Sequence, residues 1–141
     1  MNNYPPIIIT DGSILIAYYS ARDNYHNAAC RFFEQCTSKL ITSLPCITEV
    51  MYLLSADYRT QNEFLNDLAE NLYECIPLLP KNFSRIKELN KQYVDLPGDF
   101  ADLSLITISE KLNISVVLTL DSDFDIYRRY RKQPFQRISL N

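Results

Sequence analysis

Ser115-Val116-Val117-Leu118-Thr119-Leu120-Asp121-Ser122-Asp123 is an apolar run that ends abruptly in two acids. A strand that is apolar at nearly every position is covered on both faces, as in a parallel sheet packed between helices. Residues 115–120 are therefore expected to be an interior strand. Upstream, Ala101, Leu105, Ile108 and Leu112 recur at helical spacing and predict the buried stripe of a helix over residues 99–112. Pro97-Gly98 breaks the chain before it. Downstream, residues 123–131 read as helical and residues 136–140 as a last strand.

The same alternation extends to the N-terminus. Ile7-Ile8-Ile9-Thr10 is a β-branched run that ends at Asp11, consistent with a buried strand. Tyr25, Ala28, Ala29, Phe32, Phe33 and Cys36 fit one face of an amphipathic helix. Leu40-Ile41-Thr42 is a second strand, after which Pro45 stands where a helix can begin. Phe64, Leu65, Leu68 and Leu72 mark another helix, and Cys75-Ile76-Pro77-Leu78 a weak third strand. Its proline places that strand at or near a sheet edge. Phe83, Ile86, Leu89 and Tyr93 mark the next helix. Strands alternating with helices imply right-handed crossovers and an α/β fold, a mainly parallel sheet with helices on both sides.

The chain has 141 residues, which suits one domain spanning 1–141 and hardly two. Its 2 glycines leave no room for a glycine-rich phosphate loop, and neither GxGxxG nor a Walker pattern occurs. The N-terminus has no basic leader, and no apolar run approaches the roughly 20 residues needed to span a bilayer. A cytoplasmic protein is expected. Cys30, Cys36, Cys46 and Cys75 form no CxxC pair and there is 1 histidine, so reduced core cysteines are expected in place of zinc or disulfides. The formal charge of −3 gives no overall attraction for a polyanion. A nucleic-acid substrate would need a local basic patch or a metal to bridge it.

The acids have a pattern of their own. In an open parallel sheet, ligands gather beyond the carboxyl ends of the strands, near the point where strand order reverses. Asp11 follows the first strand, and Asp121 with Asp123 follows the late apolar one. Glu49 lies early in the helix that begins near Pro45, while Asp99 and Asp102 open the helix of residues 99–112. Capping alone accounts for Asp11, for Asp99 with Asp102, and for Asp121 to Asp123. Glu49 is different. Its helical neighbours are Pro45, Cys46, Tyr52 and Leu53, so no local base pairs with it, and a carboxylate there is costly unless it reaches solvent or something else compensates it. With no lysine or arginine beside any of these acids, convergence at one end of the sheet would call for a divalent cation. An all-oxygen ligand set points to Mg²⁺ or Mn²⁺.

These motifs make the chain resemble the PIN-domain family, and especially the VapC-like toxins of bacterial toxin–antitoxin pairs, from Ile8 to about Leu140. The residues that carry the likeness are Asp11-Gly12-Ser13, Glu49 after Ile47-Thr48, Asp102 within Asp99-Phe100-Ala101-Asp102-Leu103-Ser104-Leu105-Ile106, and Thr119-Leu120-Asp121-Ser122-Asp123-Phe124. Gly12 stands where threonine is common, a departure that touches no carboxylate. The resemblance implies a three-layer α/β/α fold and a Mg²⁺- or Mn²⁺-dependent ribonuclease whose products end in 5′-phosphate and 3′-hydroxyl. Asp11, Glu49, Asp102 and Asp121 match its acidic tetrad, with Asp99 and Asp123 as additional carboxylates. Ser13 and Thr119 match the supporting hydroxyls. It also implies an RNA substrate, a small antitoxin partner and a homodimer.

The basic run Arg128, Arg129, Arg131 and Lys132 follows the last motif and offers phosphate contacts, or simply a solvated helix end. Rival readings fit less well. A receiver domain needs a phosphoacceptor aspartate after its third strand, where this chain has Leu78-Leu79-Pro80. A haloacid-dehalogenase-type phosphatase needs Asp-x-Asp where this chain has Asp11-Gly12-Ser13. A catalytically weak PIN-like module that binds RNA or docks a protein is the remaining alternative.

Overall fold

The computed structural model describes residues 4–96 and 99–140. Ile7–Thr10 forms β1, and Gly12–Tyr19 and His26–Gln35 form α1 and α2. Lys39–Thr42 is β2, followed by α3 (Leu44–Leu53) and α4 (Tyr58–Ala69). Next come β3 (Tyr73–Cys75), α5 (Pro80–Gln92), α6 (Phe100–Leu112) and β4 (Val116–Leu118). A 3₁₀ turn at Ser122–Asp125 leads to β5 (Arg128–Arg129), β6 (Gln133–Pro134) and β7 (Gln136–Ile138).

The main sheet has the order β3-β2-β1-β4-β7, and every neighbouring pair is parallel. The chain winds outward from β1 to β3, then crosses to the other side of β1 for β4 and β7. Strand order therefore reverses between β1 and β4, where Ile9 pairs with Val117 and Thr10 with Leu118. Asp11 leaves β1 at this crevice, the place where open α/β sheets bind ligands.

Two apolar cores flank the sheet because successive strand side chains point to opposite faces. Ile9, Ile41 and Val117 join residues of α5 and α6, including Leu89, Leu105 and Ile108. Ile8, Leu40, Val116 and Leu118 join α1, α3 and α4 through Ile14, Leu15, Val50 and Phe64. The result is the expected three-layer α/β/α arrangement. In α6 the buried surface goes all the way round from Leu103 to Ser109, while Leu112, expected in the buried stripe, is exposed. Among the described residues, no helix is long and apolar enough to cross a membrane. All four cysteines are free.

Two elements differ from expectation, and Pro97-Gly98 lies outside the described residues. The third strand is Tyr73–Cys75, a little earlier than Ile76 and Pro77 suggested, though it does occupy a sheet edge. Tyr73 is the residue that anchors it: the ring is buried, and its hydroxyl is hydrogen-bonded with that of Tyr19 at 2.8 Å. Residues 123–131 are not a helix. A single turn forms, with the Tyr127 N–H donating to the Asp123 carbonyl at 3.0 Å. The next amide, that of Arg128, donates to the Tyr93 hydroxyl at 2.7 Å, and helix growth stops there. The chain then makes a hairpin in which Arg128 faces Pro134, with Arg131 and Lys132 at positive φ (59° and 61°).

Candidate active site

Asp11 caps α1 and ties it to the loop after β4. Its Oδ1 accepts from the Ser13 amide at 3.1 Å and the Ser13 hydroxyl at 2.6 Å. Its Oδ2 accepts from the Thr119 hydroxyl at 2.5 Å. Thr119 Oγ1 in turn accepts from the Asp121 amide at 2.9 Å, and Ser13 Oγ accepts from the Leu120 amide at 3.0 Å. Ser13 and Thr119 thus bind two chain segments together through one buried carboxylate.

The other acids gather round this joint. Asp121 caps the 3₁₀ turn, its Oδ1 accepting from the Asp123 amide at 2.9 Å. Asp99 caps α6 in the same way, accepting from the Asp102 amide at 2.8 Å. The capping reading of these residues is therefore correct as far as it goes. It does not explain their convergence: one carboxylate oxygen each from Asp102, Asp121 and Asp123 lie within 4.8 Å of one another. Asp11 and Glu49 do not join this trio at that separation, whereas Asp123 does.

Electrostatics links all of them. Burial pushes the Asp11 carboxyl up to about 6, against the hydrogen bonds from Ser13 and Thr119, and Asp121 adds repulsion. Burial also lifts Glu49 to about 7, helped by Asp99, Asp11 and Asp121. Asp102 rises to about 8 through burial and Asp99, with further repulsion from Asp121 and Asp11. Asp123 is raised by desolvation, then by Asp121 and Asp99. The charges acting on each acid are chiefly those of the others. A set of oxygen donors with so much mutual repulsion suits a hard divalent cation, so the residues fit Mg²⁺ or Mn²⁺.

Three contributors were not visible in the sequence. Tyr127 is fully buried, and its hydroxyl donates to Asp102 Oδ2 at 3.0 Å. Arg137 on β7 grips Asp125 with Nε and Nη2, both at 3.0 Å, and also feels the charge of Asp121. Gly12 leaves the room that a carboxylate uses: a Cβ there would lie 2.8 Å from Glu49 Oε1.

The basic run leads away from the acids. Arg128 Nη1 donates to the carbonyls of Asp125, Ile126 and Tyr127. Arg129 is buried, its guanidinium donating to the Ser109 carbonyl and to Asn113 Oδ1, both at 3.1 Å. Ser109 is seven residues beyond Asp102, or about 10 Å along α6 at a helical rise. Arg131 and Lys132 are exposed at the hairpin tip beyond it.

The chain matches the sequence model of the PIN domain over residues 8–130. It belongs to the PIN domain family. The protein is also similar in structure to Mycobacterium tuberculosis VapC20, a Sarcin-Ricin loop cleaving toxin, with a TM-score of 0.79 and 19% sequence identity. That match covers 90% of this chain and 99% of the other. No sequence among curated proteins matches.

Proposed function

We propose that the protein is a metal-dependent endoribonuclease that hydrolyses RNA phosphodiester bonds, acting as the toxin of a toxin–antitoxin pair. The observation that carries this reading is the convergence of Asp102, Asp121 and Asp123 within 4.8 Å, beside Asp11 and Glu49 at the switch point of the sheet. The Sarcin-Ricin loop cleavage by VapC20, its structural neighbour, supports RNA as the substrate. Residues 1–141 are read as one nuclease domain working in the cytoplasm, as a homodimer held in check by a small antitoxin.

Asp102, Asp121 and Asp123 would hold Mg²⁺ or Mn²⁺, with Asp11, Glu49 and Asp99 completing the negative surround. When bound, the ion supplies charge to the scissile phosphate and acidifies water for in-line attack. The protein's own part is positional. Ser13 and Thr119 fix Asp11, and Asp11 fixes the start of α1 against the loop that presents Asp121. Tyr127 orients Asp102 by donating to its Oδ2. The products expected are 5′-phosphate and 3′-hydroxyl ends.

The test is cleavage of RNA by purified protein across a Mn²⁺ and Mg²⁺ titration, with 5′ ends mapped. Cleavage that EDTA stops and Asp121→Asn abolishes supports the reading. Metal-independent cleavage, or full activity in Asp121→Asn, defeats it.

A further inference from the structure

One flank of the carboxylate cluster opens into a cavity of about 890 Å³. Glu49 and Asp99 are its acidic end, and no lysine or arginine lines it. The remaining wall is largely carbon, with Tyr52 from α3, Leu78 from the chain after β3, Phe83 from α5 and Phe100 from the start of α6. Three of these side chains are aromatic rings left open to solvent: Tyr52 is 75% exposed, Phe83 48% and Phe100 47%. The rings of Phe83 and Phe100 are stacked, 20° apart in plane and 6.1 Å between centroids, and both line the cavity. The other flank of the cluster is polar, with the Asp125–Arg137 pair beside Asp121.

We propose that this cavity is a nucleobase subsite, which takes an unpaired base adjacent to the phosphate at the carboxylates. The proposal rests on the ribonuclease reading and gives it a substrate form. A phosphate is excluded from the cavity, since it would meet Glu49 and Asp99 and find no cation. A base is neutral, and each base offers a π-face to an aromatic wall. Of the cavity's two acids, Asp99 accepts from the Asp102 amide and Glu49 feels the charge of Asp121, so a strand whose phosphate reaches Asp102 and Asp121 brings its neighbouring base towards the cavity. A base held in a duplex cannot turn into such a wall, so the substrate must be single-stranded or looped there.

The test uses single-stranded RNA with 2-aminopurine placed at one position at a time, mixed with wild-type protein in Mg²⁺ and followed by stopped-flow fluorescence. Quenching is expected at one position or two adjacent ones. Phe83→Ala and Phe100→Ala should each remove that quenching and weaken RNA binding about tenfold, as loss of a base–aromatic stack does. Both side chains are half-exposed, so melting temperatures should hold, and Val94→Ala, at a 74% exposed site outside the cavity lining, should change neither signal. No quenching by wild type with RNA bound, or quenching that survives in both variants, overturns the subsite. Cleavage with full RNA affinity in both variants leaves the ribonuclease reading intact and rejects the subsite. Binding and quenching without cleavage reject the nuclease and keep the subsite. Variants that bind RNA normally but lose a co-purified protein partner assign the cavity to a protein and overturn it.

Discussion

Gly12 and Glu49 are in direct apposition: the Cα of one leaves the space that the carboxylate of the other fills. A methyl group added at Gly12 would stand 2.8 Å from Glu49 Oε1 and 3.3 Å from Val50 Cγ2. Glu49 is the mobile partner, since Val50 is fixed in the core. Gly12→Thr, although threonine is common at this position in the family, should therefore swing Glu49 away from the site. Misplacement of about 1 Å near reacting groups can cost as much as 100-fold in rate. A fall of at least tenfold in Mn²⁺-dependent cleavage is expected, on the order of that loss, with a nearly unchanged melting temperature. Wild-type activity in Gly12→Thr would show that Glu49 works equally well elsewhere.

Tyr127 does two things for Asp102. Its hydroxyl fixes one carboxylate oxygen, and it lowers an affinity for protons that burial and Asp99 have raised. In Tyr127→Phe the Asp102 carboxyl should hold its proton to still higher pH, so metal competes less well. Calorimetric Mn²⁺ affinity is expected to fall and the rising limb of the pH–rate profile to move upward. The lost hydrogen bond should cost about 1–2 kcal/mol of stability. An unshifted pH profile with normal metal affinity would reduce Tyr127 to a packing residue.

The hairpin separates structure from substrate contact. Arg129 spends its donors on the end of α6, so Arg129→Met should lose about 2 kcal/mol of stability through unmade hydrogen bonds to Ser109 and Asn113. Its RNA affinity, measured on folded protein, should not change. Arg131 and Lys132 sit at φ of 59° and 61°, a region that costs L-residues about 1–2 kcal/mol. Lys132→Gly should accordingly be neutral or stabilising in a thermal melt. If the tip also holds phosphate, the same variant lowers the salt dependence of RNA binding by about one ion. Unchanged salt dependence restricts the tip to a turn.

Much of this was legible in the chain. The β-branched run at Ile7–Thr10 and the apolar Leu40-Ile41-Thr42 are where the strands lie, and the acids at Asp11 and Asp121 are where strand order reverses. Local pattern was sufficient because burial on both sheet faces leaves a continuous apolar signal. It failed where a distant side chain decides the backbone. Tyr93 captures the Arg128 amide from 35 residues away and ends a helix that residues 123–131 otherwise favour. Tyr127 reaches Asp102 across 25 positions and Arg137 reaches Asp125 across 12, and nothing in either tyrosine's or arginine's neighbourhood marks those contacts. Arg129 reads as a surface charge because its buried partners are a carbonyl and an amide, which carry no sequence signature.

Burial of the acids, with repulsion among them, gives the metal-free protein an unusual dependence on pH. Asp11 is raised from 3.8 to about 6, Glu49 from 4.5 to about 7 and Asp102 from 3.8 to about 8. A carboxyl raised in the folded state binds its proton more tightly there than in the unfolded chain. Its favourable contribution is present in full below the unfolded value and is lost as pH climbs through the folded one. In EDTA, stability should therefore fall between about pH 5 and pH 9, as these groups ionise against one another. Mg²⁺ or Mn²⁺ should reverse the trend, because binding to the native state stabilises it and ionised ligands bind best. Asp102→Asn is the variant of choice. The amide keeps an acceptor for Tyr127 and removes a charge, so it should melt higher than wild type in EDTA at pH 8 and respond little to metal. Asp11→Asn is less clean, since Ser13 and Thr119 donate to both carboxylate oxygens and an amide has only one acceptor. Thermal melts across pH, with and without metal, decide the matter. A wild-type melting temperature in EDTA that rises from pH 5 to pH 9, with no metal-induced shift at pH 8, would mean that the carboxylates do not act as one site.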